Sequence, residues 1–172
     1  MLFESDNIRL RALEPEDLDI LYRWENDAEL WKYGSSLAPY SKFSLREYIK
    51  KSVTDLTVNR QLRLMAIYKP KSVTVGTIDL YDYDPINLRA GVGILVDKEY
   101  RNLGLGKEIL AILSKYAYKM LHLSQLYAFI PIGNVASIAL FESSGYKKAG
   151  ILSDWLKVDT GFEDVAVLQL KL

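Results

Sequence analysis

A stretch in the middle of the chain, Val96-Asp97-Lys98-Glu99-Tyr100-Arg101-Asn102-Leu103-Gly104-Leu105-Gly106-Lys107, has the residue types and spacing to hold an anion. It joins an apolar run of strand character to a run with helical spacing. Glycines at 104 and 106 let a ligand approach the backbone closely. Unpaired amides at a helix start, with about half a positive charge from the helix dipole, form an anion site. Lys98, Arg101 and Lys107 add local positive charge. A Walker A loop would need a glycine where Arg101 stands and Ser or Thr where Glu108 stands. A dinucleotide fingerprint would need a third glycine at Ile109 and an early βαβ unit. The remaining pattern is Arg/Gln-x-x-Gly-x-Gly/Ala, and Arg101 to Gly106 fits it throughout. A simple tight turn would also account for Gly104 and Gly106.

A second cluster follows about thirty residues on: Asn134-Val135-Ala136-Ser137, then Phe141, then Gly145-Tyr146. Asn134 is a good helix N-cap and Gly145 a good C-terminal stop. Ser137 falls in the first turn, where it could simply face solvent. Tyr146 reads as core.

The elements that must position these residues are those of one mixed α/β domain over residues 1–172. The chain has 172 residues, 49% apolar and 26% charged, enough for a proper core. Its 22 basic and 22 acidic side chains cancel, so no basic excess points to nucleic acid. It has no cysteine, which excludes disulfides, thiolate metal sites and cysteine nucleophiles. One histidine, His122 between two leucines, reads as structural and excludes a multi-histidine metal site, so no metal is expected. The first residues show no basic leader and no apolar run of signal-peptide type. No stretch nears the roughly 18 apolar residues of a membrane span. The expectation is a cytoplasmic protein with no membrane and no nucleic-acid partner.

Ile8 to Leu13 alternates as a half-buried strand. Pro15 opens a helix through Asn26. Ala28 to Phe43, with Gly34, Ser35, Ser36 and Pro39, reads as irregular. Ser44-Leu45-Arg46-Glu47 is a capping-box pattern that predicts a helix to about Val53. Leu62–Tyr68, Val73–Tyr81 and Arg89–Val96 read as a three-stranded meander. Lys107–Leu121 and Asn134–Ser144 read as helices. Leu126–Ile130, Tyr146 to about Val158 and Glu163–Leu172 complete the strands. The order is β-α-α-β-β-β-α-β-α-β-β, around one mostly antiparallel sheet flanked by helices.

With both clusters and this order, the sequence resembles the GNAT family of acyl-CoA-dependent N-acyltransferases over essentially its whole length. Arg23-Trp24-Glu25-Asn26-Asp27 resembles the subgroup of ribosomal-protein N-terminal and spermidine acetyltransferases. The resemblance implies an N-acetyltransferase that uses acetyl-CoA as co-substrate, with Arg101, Asn102, Leu103, Gly104, Leu105, Gly106 and Lys107 around the pyrophosphate. It places Asn134, Ser137 and Phe141 near the pantetheine arm. The backbone of Ile94, Leu95 and Val96 should pair with that arm, and an amide there would polarise the thioester oxygen. Glu25, Asp27 and Glu29 stand where the family builds its acceptor site; a solvated helix end is the plainer reading of the three. A homodimer or larger homo-oligomer is left open.

The implied reaction is direct attack of a primary amine on the thioester. A lysine-like or polyamine amine, with pKa about 10.4, is neutral about once in 10³ to 10⁴ at pH 7, a cost of roughly 4–5 kcal/mol. A peptide α-amine, with pKa about 8, costs about 1–1.5 kcal/mol. Relatives often carry a glutamate base before the loop and a tyrosine acid in the second cluster. Here Gly91 and Phe141 occupy those places. Asp79 as base and Tyr81 as acid, alternating with Thr77 on one strand face, are the candidates to substitute; solvent-facing strand positions are the alternative. Because both usual places are vacant, a peptide α-amine is favoured slightly over a polyamine. A CoA-binding module without turnover, and a binder of some other phosphate ligand, remain competing functions.

Overall fold

The computed structural model describes residues 2–31, 38–52 and 56–172. The chain divides into two compact units, Met1–Ala12 with Leu56–Leu172, and Leu13–Asp55.

The first unit is built on a seven-stranded sheet in the order β1-β2-β3-β4-β5-β7-β6. Its strands are β1 (Ile8–Ala12), β2 (Leu62–Tyr68), β3 (Val73–Asp84), β4 (Arg89–Val96), β5 (Gln125–Pro131), β6 (Lys147–Val158) and β7 (Gly161–Lys171). Every neighbouring pair is antiparallel except β4 and β5. That parallel pair requires a crossover, and α5 (Leu105–Lys119) supplies it. The buried side of α5, with Leu105, Ile109, Leu110, Ile112, Leu113 and Ala117, joins a core with Ile78 and Leu80 of β3 and Val92 of β4. α6 (Val135–Ser143) follows β5. The N-terminal segment is fastened to α5 through Glu108, whose carboxylate accepts from Ser5 Oγ at 2.5 Å, Asn7 N at 3.2 Å and Asn7 Nδ2 at 2.8 Å.

The second unit holds α1 (Leu18–Glu25), α2 (Ala28–Trp31) and α3 (Lys42–Ser52). A 3-10 turn at Pro15–Asp17 leads into α1, with the Glu14 amide donating to Asp17 Oδ2 at 2.9 Å. α1 buries Leu21 and Trp24, α3 buries Leu45 and Ile49, and the two helices pack together.

Most expected elements stand within two residues of their places. β3 runs past its expected end at Tyr81 to Asp84 because a bulge at Tyr81–Asp84, with Asp82 at φ +49°, absorbs the bend. α3 starts at Lys42, earlier than the capping box at Ser44 implied. Ser41 Oγ accepts from Ser44 N at 3.0 Å and so performs the capping expected of Ser44. The irregular reading of Ala28–Phe43 misses the single turn α2. Gly34, Ser35, Ser36 and Val53 lie outside the described residues. A further turn, α4 (Leu56–Asn59), carries no sequence signal strong enough to predict. His122 sits exposed at φ +53° in the turn between α5 and β5.

Candidate active site

The site begins where two parallel strands stop pairing. β4 and β5 are in register only at Arg89↔Gln125, Ala90↔Leu126 and Gly91↔Tyr127. Beyond that point β4 stays paired with β3 as far as Val96↔Gly76, and β5 with β7 as far as Pro131↔Val165. The inner edges of Val92–Val96 and Ala128–Pro131 therefore form a fork, with no strand across it among the described residues. Backbone groups in that state need a partner. An extended amide-bearing ligand would meet that need as an added strand does.

Helices α5 and α6 each start just after β4 or β5, so both N-termini stand at the mouth of the fork. The loop before α5 is tightly organised. Asp97 Oδ1 accepts from Glu99 N at 3.2 Å, the Tyr100 amide donates to Asp97 O at 2.8 Å, and Arg101 Nε donates to Val96 O at 3.0 Å. Gly104 caps α5 at φ +77°, a left-handed conformation that favours glycine. The first amides folded back onto the cap are those of Lys107 and Glu108, both to Gly104 O. Those of Leu103, Gly104, Leu105 and Gly106 have no acceptor among the described residues. With the dipole of a fifteen-residue helix behind them, they form a cradle for an anion. Arg101 and Lys107 are exposed beside it.

The two glycines differ. A Cβ at Gly104 would meet nothing within 4 Å, so its backbone conformation and the space above it are what matter. A Cβ at Gly106 would press on the end of the Leu140 side chain of α6 at 3.0 Å, so a side chain there needs Leu140 to give by a few tenths of an ångström. Asn134 acts as the cap of α6, its Oδ1 accepting from Ser137 N at 3.2 Å. Ser137 is half-buried and Phe141 is 2% exposed.

Thr77, Asp79 and Tyr81 share one face of β3, opposite Leu95, Gly93 and Gly91 of β4. None is solvent-exposed. Tyr81 explains Gly91. A Cβ at position 91 would lie 2.2 Å from Tyr81 Cε2 and 2.4 Å from Cζ, so the phenol ring fills the space a side chain at 91 would need. Across the fork the ring meets Tyr127 edge-on at 6.1 Å, and Tyr127 meets Phe129 at 5.4 Å. Burial pushes the Tyr81 hydroxyl up to about 12; Tyr127 and Asp82 act in the same direction, and a hydrogen bond with the Phe129 backbone only partly offsets them. Tyr81 is thus a neutral phenol at any ordinary pH, as the role of acid requires.

Asp79 is held differently from what a free base would need. Arg63 Nε donates to Oδ1 at 2.7 Å and Arg63 Nη2 to Oδ2 at 2.8 Å, with both side chains 17% exposed. Both carboxylate oxygens are engaged. Arg63 was not singled out from the sequence, although a lone charge within the apolar run Leu62–Tyr68 was a signal. Tyr127 and Phe129 were also legible, as the alternating aromatic face of β5.

Glu25, Asp27 and Glu29 belong to the second unit. The Glu25 carbonyl accepts from Trp31 Nε1 at 2.6 Å, and Asp27 Oδ1 accepts from Glu29 N at 3.0 Å. Asp27 thus takes part in local capping. Among the described residues no group of three or more His, Cys, Asp or Glu side chains could hold a metal. No helix among them is long and apolar enough to cross a membrane.

The chain is 28% identical over 167 residues to the uncharacterized N-acetyltransferase p20 of Bacillus licheniformis, covering 96% of this chain and 93% of that one. It is 24% identical over 162 residues to a spermidine N(1)-acetyltransferase of Vibrio cholerae, covering 94% and 91%. The crystal structure of the Vibrio cholerae spermidine N-acetyltransferase in complex with CoA and spermine has a TM-score of 0.87 at 21% identity, covering 97% of this chain and 96% of that one. A dodecameric structure of spermidine N-acetyltransferase from the same organism has a TM-score of 0.82 at 21% identity, covering 97% and 95%. These likenesses show the fold to be that of the GNAT enzymes. Residues 7–147 match the family described as Acetyltransferase (GNAT) domain. With most of its length inside that one pattern, the chain belongs to the GNAT acetyltransferases, a family whose enzymes use acetyl-CoA.

Proposed function

We propose that residues 1–172 act as one acyltransferase domain that moves an acetyl group from acetyl-CoA to a primary amine by direct attack. The observation that carries this reading is the open fork leading to the cradle of free amides before α5. The cradle at Leu103–Gly106, with Arg101, Asn102 and Lys107, would hold the phosphates. The inner edge of β4 at Ile94, Leu95 and Val96 would take the pantetheine amides, with Asn134, Ser137 and Phe141 at the start of α6 on the other side. An amide of β4 would polarise the thioester carbonyl.

Tyr81 would stand as hydroxyl donor in the space relatives give to a glutamate. Asp79, with both oxygens on Arg63, suits fixing the β2–β3 surface and accepting a proton only if that pair opens. With both Asp79 oxygens engaged and glycine at position 91, an acceptor that loses its proton easily is favoured, so a peptide α-amine is the first reading. The likeness to spermidine acetyltransferases favours a polyamine, with Glu25, Asp27 and Glu29 as its acidic attractants. A homo-oligomer is supported by β6, an edge strand flanked by the exposed apolar side chains Ile151, Trp155 and Phe162.

Incubation with acetyl-CoA and a panel of peptide N-termini, polyamines and aminoglycosides tests the reading through release of free CoA. Peptides should react with the higher kcat/KM. If Glu25→Gln and Asp27→Asn raise KM for spermidine many-fold, the polyamine takes first place. Tight binding of acetyl-CoA without release on any amine would leave a CoA-binding module instead.

A further inference from the structure

Gly93 stands on the unpaired part of β4, and the packing around it does not require glycine. A glycine inside a strand weakens it, and its use there marks a bulge or the close approach of a ligand or another backbone. Gly91 has such a cause, because the Tyr81 ring fills its Cβ position. Gly93 has none of this kind. Its φ is not left-handed. It pairs with Asp79 in regular register, before the bulge at Tyr81–Asp84. Among the described residues a Cβ there would meet only Asp79, whose Cβ and Oδ2 both lie at the ordinary contact distance of 3.9 Å. Position 93 is half-buried, so the space above it is open to solvent.

Strand alternation fixes what borders that space. Gly91 and Gly93 share the face of Asp79 and Tyr81, whereas Val92 and Ile94 face the core with α5. On the α5 side Val92, Ala128 and Ile130 are buried with Ile109 and Leu110, so that face of the fork is closed. On the other face Phe129 stands two residues past Tyr127, as Gly93 stands two past Gly91, where β4 and β5 no longer pair. Phe129 is 45% exposed. The gap over Gly93 therefore has Asp79, held by Arg63, on its β3 side and Phe129 across the fork.

An acyl carbonyl that accepts from a β4 amide lies close to the plane of the sheet, because strand amides point along that plane and a carbonyl accepts near its own. A nucleophile meets a carbonyl carbon at a steep angle to the carbonyl plane, which here means from one face of the sheet. The core closes one face, and Gly93 leaves the other open. Resting on the acetyltransferase reading above, we infer that Gly93 is a specificity-determining residue for the acceptor. The amine comes over position 93, between Asp79 and Phe129, and the missing side chain leaves room for the substituents on its carbon. The acceptor class that uses this room is an amine on a branched carbon, as a peptide α-amine is. An amine on a plain methylene, as in a polyamine, needs less of it. In the step itself the nitrogen lone pair forms the C–N bond and the C–S bond breaks with its pair on sulfur. The proton shed by nitrogen balances the one that makes the thiol.

Gly93→Ala tests this without disturbing the packing. Its Cβ has room in the folded chain and restricts the unfolded one, so Tm should hold or rise. The Kd of acetyl-CoA by calorimetry should be unchanged, because the β4 backbone is kept. For a peptide that begins with valine, kcat/KM should fall about 10- to 200-fold. The loss should be smaller for a peptide that begins with glycine and for spermidine. Unchanged kcat/KM for the valine peptide would overturn the inference, as would an equal loss for all three amines. A changed preference between acetyl-CoA and propionyl-CoA, with amine kinetics untouched, would give the space to the acyl chain and overturn it too. If the wild type releases CoA with no amine, the acetyltransferase reading fails. Calorimetric titration of the CoA-bound protein with the same three amines then decides the role of Gly93. Weaker binding of the valine peptide by Gly93→Ala upholds it, and equal or absent binding overturns it.

Discussion

Gly91→Ala probes the vertex of the fork, and the structure sets its cost. The new Cβ would lie 2.2 Å from Tyr81 Cε2. Carbon pairs settle at about 3.5–4.0 Å, so the ring must withdraw by about 1.3 Å or more. Tyr127 stands edge-on against it, which leaves little room. Overpacking of this kind costs about 1–3 kcal/mol. Tyr81→Ala alone should cost about 3 kcal/mol for the lost ring. In that background the space beside Gly91 is empty. There Gly91→Ala should gain about 0.4–1 kcal/mol by restricting the unfolded chain. The double variant should therefore be more stable than the sum of the singles by about 1.4–4 kcal/mol. Urea denaturation of the four proteins measures this coupling, since native domains of about 5–15 kcal/mol tolerate losses of this size. Additivity within about 0.5 kcal/mol would refute the claim that the Tyr81 ring occupies the place of a side chain at 91.

Further expectations concern the rest of the site. Gly104→Val should abolish CoA binding by calorimetry, because it strains a residue at φ +77° and covers the cradle; undiminished affinity would remove the loop assignment. Asn134→Ala should cost about 1 kcal/mol of stability through the lost cap of α6, read from the shift in Tm. Asp79→Asn should keep the acid limb of the kcat/KM pH profile if the carboxylate only positions Arg63; loss of that limb would make Asp79 the base after all. Burial pushes the Glu108 carboxyl up, but hydrogen bonds from Ser5 and Asn7, with Lys69 nearby, outweigh it and hold the group below its ordinary value. A depressed folded value gives stability that is complete above the unfolded pKa of about 4.3 and lost as pH falls through the folded one. Glu108→Gln should therefore destabilise at pH 7, with the gap from the wild type closing below about pH 4 in denaturation curves; an equal gap at both pH values would exclude the carboxylate as its source.

What could be read in advance had a local cause. Strands β2 and β4 carry their apolar pattern and punctuation in the sequence, and their bounds were met. Asn134 and Gly145 cap α6 through bonds within a few residues, so residue type and spacing sufficed. The loop at Gly104 was legible for the same reason. The fork was not, because it depends on where β4 leaves β5, and no residue type marks that point. Asp79 stands out in the sequence through its alternation with Thr77 and Tyr81, but its partner Arg63 sits sixteen positions away on another strand. The vacancy at Gly91 was visible in the sequence; that Tyr81 fills it was not, since only the β3–β4 register brings the two together.

The bonds between the N-terminal segment and Glu108 have a consequence for how this chain is made. Ser5 and Asn7 reach a partner 103 and 101 positions further along. β1 must also wait for β2, across the whole of the second unit. At about 5–20 residues per second, a ribosome takes about 5–20 s to add those hundred residues. For that interval a finished strand bearing Ile8 and Leu10 lacks its clamp, and for about the first half of it lacks its neighbour β2 as well, and such an edge invites pairing with other chains. The segment made before the rest of the sheet is thus among the last to be secured.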